Sequence, residues 1–555
     1  MNKKAELSSQ KRFGNFWLIV GLLSVILIAP GFYYGINRPL SGLHSWAAAS
    51  GRWAARSHVK YGLKYTRGLS TWAVGDPPVG KPKHYLDHPQ LNVLLAAGVM
   101  KIFGINEWGT RVVGMAIVIA TFIVFLKILR GLLDDKTALL AGFFLAIFPI
   151  TAYFHLGGWA ILMGTIALWC YLRIIGALRG YPDSNRIHKF ALALSLFMTL
   201  QFGWTGFFYA FPIGLHYVCR CLFGKRRPEW SLLAILVLAP AASLLVNFAI
   251  MVSGYNWDFN KIYELYKWRA AKGEMRQMVG FDWGAWLAKF GEFAKTNFSM
   301  PILVTSVLYL TFGQLIVFSV KESPKIPSRW FPQFWLFLMI PISQLLLLRG
   351  CLWRHQSWER PVAPFLAIAV ALAVMLVADL LKKVHKWLSV AVAAILVVFL
   401  SAFCLLGTEY YYSVRWQPQQ KIDMFKKLNK QIPPDKALLS FKDFIVNQHK
   451  SKGGFYRPEI AWYLDREIVQ AGVVKNRQVM VAESIRDIET KAATGRFPYY
   501  LIPAVNPLKP VISILFQKYK YDVIKGVQYE KSKDGKFLKA GMTSYLIFDL
   551  NSKVR

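Results

Sequence analysis

Carboxylates are scarce in this chain: 30 Asp and Glu stand against 67 Lys and Arg, a formal net charge of +37 over 555 residues. The excess cations are spread through short polar connections and a polar tail. They are not gathered into one arm or helix, and no nucleic-acid-binding motif accompanies them, so nucleic acid is excluded as the partner. Cysteine is equally sparse. Cys170, Cys219, Cys221, Cys351 and Cys404 are odd in number, lie in or beside apolar segments and lack metal-ligand spacing, which excludes a disulfide framework and a thiolate metal centre. No Walker A string, no His-Glu-x-x-His and no dinucleotide glycine fingerprint occurs, nor any internal repeat or low-complexity tract.

Long apolar runs are what the chain has in abundance. Hydrophobic residues make up 55% of it and mean hydropathy is +0.34, which places it among polytopic membrane proteins. Apolar runs of roughly span length begin near Phe16, Val112, Ala138, Trp159, Phe190, Trp204, Ser231, Pro301, Trp330, Val362 and Leu388, and predict about 11 spans. The first run, Phe16 to Tyr34, lacks a small-residue cleavage pattern and reads as a retained anchor. Clusters such as Lys127/Arg130/Lys136, Arg220/Lys225/Arg227 and Lys382/Lys383/Lys386 fall in every second connection, which the positive-inside rule assigns to the cytoplasm together with Lys3, Lys4, Lys11 and Arg12. Two short connections on the other side, His155–Gly158 and Gln201–Trp204, hold no Lys or Arg. Three outward connections defy the rule by being basic: Arg38–Arg111, Val252–Met300 and Arg349–Arg360. These are the expected functional surface.

The short apolar piece Pro89–Phe103 reads as a helix in the outer interface, with a companion helix near Trp46–Tyr61. Beyond Gly407 the chain turns polar and alternates strand-like runs (437–441, 499–503, 544–548) with a helical one at 479–494. The expected organisation is therefore a polytopic α-helical membrane domain over 1–410, with a large first outward loop at 38–111, followed by a C-terminal extracytoplasmic α/β domain over 411–555.

The first outward loop carries Leu43-His-Ser-Trp46, Trp53-Ala-Ala-Arg-Ser-His58, Gly75-Asp-Pro-Pro78 and Tyr85-Leu-Asp-His-Pro89, and then Phe103-Gly-Ile-Asn-Glu-Trp-Gly-Thr-Arg111 opens the next span. These residues resemble the GT-C group of membrane glycosyltransferases, in particular the protein O-mannosyltransferase and aminoarabinose-transferase-like families. Arg457-Pro-Glu-Ile-Ala-Trp-Tyr-Leu-Asp-Arg466 resembles a recurrent segment of the outer domain in that group. The resemblance implies transfer of a sugar from a polyprenyl-phosphate carrier to a lipid, glycan or protein acceptor on the outer face of a membrane, the bacterial inner membrane being the expected one. It leaves the need for a divalent metal open, and further protein subunits are compatible with it.

Such transfer needs a base for the acceptor nucleophile and cations for the leaving phosphate. The acidic residue that these families place soon after the first span is missing. His44 stands near that position, and between Arg38 and Tyr85 the single carboxylate is Asp76. Asp87, just before Pro89, is the expected general base or acceptor-positioning carboxylate, its alternative role being a helix N-cap. His44, titrating near neutrality, is the rival base or a structural hydrogen-bonding histidine. His88 either points at the carrier phosphate or packs. Arg52, Arg56, Lys64 and Lys83 are candidate phosphate ligands in the first loop, Arg bidentately. His355 and Arg360 lie in the short outward motif that such families set beside the carrier phosphate, where an Arg-Glu pair also serves to cap a span. Tyr263, Lys267, Trp268, Arg269 and Phe281-Asp-Trp283 give the basic connection Val252–Met300 an interfacial character. The active site is expected outside, between the first loop, this connection and the Arg354–Arg360 turn. Two other classes stay in view: a non-catalytic scaffold subunit, supported by the missing acid, and a secondary transporter, weakened by the near absence of ionisable residues within the spans. The sequon Asn297-Phe-Ser299 adjoins a span.

Overall fold

The computed structural model describes residues 36, 38–40, 45–79, 81–86, 88–152, 158–180, 186–225, 227–270, 272, 281–313, 315–316, 331–354, 356–413, 419–441, 458–475, 478–504, 508–531 and 537–554. The chain divides into two compact units. One gathers Leu86–Asn92 and Trp108–Tyr411, the other Arg38–Tyr85, Val93–Glu107 and Tyr412–Arg555.

The first unit is helical. Every expected span start but Phe16 and Trp330 falls on a helix, and those two lie outside the described residues. Among the described residues Trp108–Leu132, Trp204–Phe223, Trp230–Gly254, Glu359–Lys382 and Lys386–Glu409 are long and apolar enough to cross a membrane, so this is a membrane protein. Shorter apolar helices include Gly158–Ile174 and Met300–Gly313. The Asp135–Ile147 helix has 13 residues, about 20 Å at 1.5 Å per residue, and is too short to cross a ~30 Å hydrocarbon layer alone.

Lipid offers apolar faces little reason to prefer one another, so these helices associate through small residues and interhelical hydrogen bonds. A Cβ at Gly164 would stand 2.5 Å from the Tyr209 ring, and one at Gly142 would stand 2.5 Å from Leu126. Glycine is what lets these helices approach. Thr199 Oγ1 donates to the Ala160 carbonyl at 2.6 Å, Gln201 Nε2 to Ser243 Oγ at 2.9 Å and Asn247 Nδ2 to the Leu200 carbonyl at 3.0 Å, tying three helices together inside the unit.

The second unit has a five-stranded sheet. Its strands are β3 (Leu438–Phe441), β4 (Ile468–Ala471), β7 (Tyr499–Pro503), β8 (Tyr519–Lys531) and β9 (Phe537–Lys553), in the order β4-β3-β7-β9-β8. β3 pairs in parallel with β4 and β7, and β9 pairs antiparallel with β7 and β8. Helices Val481–Ala492 and Lys509–Lys518 supply Ile488, Val511 and Leu515 to a core shared with Leu439, Tyr500, Ile502 and Phe548. The expected strand at 544–548 is the middle of the much longer β9. Two residues of the expected 479–494 helix, Val479 and Met480, belong instead to β6 (Gln478–Met480), which forms an antiparallel pair with β5 (Val473–Lys475).

The first loop forms part of this second unit. Helix Ser45–Thr66 realises the companion helix, and a small ribbon of β1 (Thr71–Trp72) and β2 (Lys83–His84) follows it. Buried Trp53 stacks on Trp72 at 5.4 Å, Trp72 stacks on Tyr85 at 4.5 Å, and Trp53 Nε1 donates to the Ala73 carbonyl at 2.6 Å. The helix Leu91–Phe103 falls on the apolar piece expected after Pro89.

Candidate active site

Within the helical unit, the site is built from the segment around His88 and the two later basic connections. Asp282 caps helix Trp283–Phe298, its carboxylate accepting from the Ala285 amide at 2.8 Å, which fixes where this helix starts after Phe281. The preceding helix, Phe259–Ala270, exposes Phe259, Tyr263 and Tyr266 but buries Arg269 and Ala270 in its last turn, leaving Arg269 only 7% exposed. That last turn packs against helix Arg349–Arg354.

Arg269 is thereby brought to His88 and Cys351. Its Nη2 lies 3.2 Å from His88 Nε2 and its Nη1 3.5 Å from Cys351 Sγ. Guanidinium has only donors, so the ring nitrogen accepts and His88 carries its proton on Nδ1. Arg349 lies over Phe281 and Trp283, with its guanidinium carbon 5.2 and 4.8 Å from the ring centroids, and its carbonyl accepts from Trp286 Nε1 at 3.1 Å. Such stacking holds a guanidinium plane without neutralising it. Half-buried Arg360 follows on the 3-10 turn Gln356–Val362, which packs against Trp283–Phe298. Three arginines and a histidine are thus mounted on connections that pack together, an arrangement suited to an anionic oxygen cluster.

The structure therefore brings His88 and Arg360 into one unit with Arg269 and Arg349, neither of which stood among the expected site residues although their connections did. The signal was the positive-inside violation itself. Asp87, His44 and His355 lie outside the described residues.

The first-loop cations belong to the other unit. Arg56 is 4% exposed, donates from Nη1 to the Trp462 carbonyl at 2.7 Å and from Nη2 to the Ala461 carbonyl at 2.9 Å, and pairs with Asp465 at 3.0 Å. Lys60 joins the same carboxylate at 2.9 Å. At Arg56, where a phosphate ligand was expected, both terminal nitrogens bond helix Pro458–Leu464 and the residue after it, so Arg56 pins the loop helix to the C-terminal segment. Arg466 acts similarly, donating to the carbonyls of Asn429 and Ile432 that end helix Gln419–Gln431. The segment 458–466 is thus a structural staple. Arg52 is also buried, whereas Lys64 and Lys83 are exposed.

His58, 5% exposed, has its Nδ1 2.7 Å from Thr66 Oγ1, and that hydroxyl donates to the Gly62 carbonyl at 3.0 Å. The threonine proton being spent, Nδ1–H is the donor and buried Nε2 is left bare with no partner. Burial, reinforced by the nearby His84, pushes the His58 pKa down to about 4.

Among the described residues no group of three or more His, Cys, Asp or Glu gathers as metal ligands would. The sequon is not an acceptor: Asn297 is fully buried and its Nδ2 donates to Glu359.

No family model and no curated protein matches this sequence. Solved structures do. The chain is similar to ArnT from Cupriavidus metallidurans bound to undecaprenyl phosphate, at 14% identity and a TM-score of 0.56, over 96% of this chain and 98% of that one. It is also similar to the apo oligosaccharyltransferase of Archaeoglobus fulgidus, at 12% identity and a TM-score of 0.54, over 95% of this chain and 74% of the other. The archaeal oligosaccharyltransferase AglB in complex with an inhibitory peptide and a dolichol-phosphate matches at 14% identity and a TM-score of 0.50, over the same shares. At such identities what is shared is the architecture, and this chain has the fold of the GT-C membrane glycosyltransferases.

Proposed function

We propose that this protein is a glycosyltransferase that moves a sugar from a polyprenyl-phosphate carrier to an acceptor on the outer face of the membrane, with Arg269, Arg349, Arg360 and His88 receiving the carrier phosphate. The observation that carries the reading is the mounting of buried Arg269 between His88 and Cys351, beside the connection that bears Arg349 and Arg360. It is set in a fold shared with a transferase whose structure holds undecaprenyl phosphate.

In this reading an acceptor heteroatom attacks the anomeric carbon and the bond from that carbon to the phosphate oxygen breaks. The acceptor proton passes to a carboxylate or imidazole, Asp87 or its rival His44, and the electron pair leaves on polyprenyl phosphate. The arginines work on the last of these events. Charge developing on the leaving oxygens meets guanidinium donors already in place, so little reorganisation accompanies bond breaking. In this reading the chain is an integral-membrane protein whose C-terminal unit lies outside, as the alternation of basic connections implies.

The test is binding of polyprenyl phosphate to the purified full chain, followed by release of free carrier phosphate from a labelled lipid-linked sugar. Arg269→Gln should weaken carrier binding by about 1.5 to 3 kcal/mol, the worth of a charge-assisted bond, and Arg269→Lys should recover only part of it because the fork is lost. Unchanged affinity in both Arg269→Gln and Arg360→Gln would remove the phosphate site. Carrier binding without any release of carrier phosphate would make the chain a scaffold. Asp87→Asn with intact carrier binding but turnover reduced roughly 10²-fold or more identifies the base, and the same loss from His44→Gln alone moves it there.

A further inference from the structure

Glu359 is fully buried on the Gln356–Val362 turn, immediately before Arg360. Its Oε2 accepts from Asn297 Nδ2 at 2.7 Å, while its Oε1 is buried without a partner, and among the described residues no cation pairs with it. It is the obvious candidate to replace the acid missing from the first loop, yet its surroundings argue otherwise. An ionised carboxylate taken out of water with a single amide hydrogen bond is far costlier than the neutral acid, which gives up one oxygen's partner but no charge.

Asn297 lies in the last turn of helix Trp283–Phe298. Two residues later Ser299 adopts φ 67°, a left-handed conformation unusual for serine, and the chain breaks into helix Met300–Leu308. Near the other end of the same helix, Trp286 Nε1 donates to the Arg349 carbonyl at 3.1 Å. The helix is therefore stapled twice to the 349–360 connection, by Trp286 at residue 349 and by Asn297 at residue 359. Eleven residues separate the staples, about 16 Å of helix.

We infer that Glu359 is a positioning residue that works as the neutral carboxylic acid: with Asn297 it closes one end of a helical strut that sets the spacing of Arg349 and Arg360. The inference rests on the proposed phosphate site for its functional consequence, and on Glu359 and Asn297 alone for its structural content. Glutamine presents the same carbonyl oxygen to Asn297 without an ionisable group. Leucine fills the volume and removes the acceptor.

The experiment compares Glu359→Gln, Glu359→Leu and Trp286→Phe in the full chain by polyprenyl-phosphate affinity, thermal stability and infrared difference spectroscopy. Glu359→Gln should stay within about twofold of the parent in affinity, while Glu359→Leu and Trp286→Phe each lose about tenfold, the equivalent of one buried hydrogen bond. The parent should show a protonated-acid carbonyl band at neutral pH that Glu359→Gln lacks. The inference is overturned if Glu359→Gln loses as much affinity or turnover as Glu359→Leu, or if the parent lacks that band. If the leucine variant fails to fold, the infrared band and the Trp286→Phe affinity decide. If the parent binds no polyprenyl phosphate, the transferase reading fails by itself, and the infrared band with the relative stability of the Gln and Leu variants still decides the role of Glu359.

Discussion

Acidification should loosen the first-loop helix through His58, and the size of the effect follows from the surroundings of that ring. With Nδ1–H bonded to Thr66, a second proton would have to go on Nε2, which is buried and has no acceptor. The folded-state pKa is about 4 against an ordinary 6.5. A depressed histidine favours the folded state fully above its unfolded pKa, and that contribution is lost as pH falls through about 6.5 toward 4. The loss is about 1.4 kcal/mol at about pH 5.5 and tends to about 3 kcal/mol below pH 4. Burial also lowers the His84 pKa, with Arg67 adding to it, so His84 pulls in the same direction. His58→Asn keeps a donor for Thr66 and cannot titrate. Between about pH 7.5 and pH 5.5 the parent should therefore lose about 1 to 2 °C more in Tm than the variant does. Thermal unfolding of the purified full chain at both values gives this difference of differences directly, with every other titrating group common to both proteins. Equal losses in parent and His58→Asn would refute the assignment of a buried neutral imidazole.

Two other outcomes are expected. Arg56→Ala removes one partner of a buried ion pair along with two bonds to carbonyls, and should destabilise the protein by about 3 to 5 kcal/mol in chemical unfolding while carrier affinity per folded molecule stays unchanged. A fall in affinity without loss of stability would return Arg56 to the phosphate ligands. Cysteines introduced at Lys225 and Lys553, both exposed, should be labelled from opposite sides of the membrane if the alternation of basic connections reports orientation. Labelling from one side sinks the eleven-span arrangement and the external placement of the C-terminal unit.

The helices of the membrane unit were legible in the sequence because burial in lipid demands an unbroken apolar run wherever the backbone bonds only to itself. The short apolar helix after Pro89 and the change of composition beyond Gly407 were legible for the same reason, since hydrophobicity is a local property of a segment. So was the basic character of the connections 252–300 and 349–360, whose charge runs against the orientation rule. What local pattern does not carry is the partner of each cation. Arg56 and Arg269 are both basic residues in aromatic surroundings, and nothing within ten residues of either says that one will spend its hydrogen bonds on carbonyls more than 400 positions away while the other meets His88 and Cys351. The strands were partly hidden likewise: β4, four residues long, owes its place to pairing with β3, and β9 runs far beyond its apolar centre because β8 supplies hydrogen bonds along its whole length. Hydropathy thus determined that the chain is a membrane protein, and its composition that several of the connections are basic. Only the tertiary structure decided that Arg56 spends its hydrogen bonds on carbonyls and Asp465 while Arg269 meets His88 and Cys351, because a guanidinium has the same composition in either setting and differs only in the partners that distant parts of the chain bring to it.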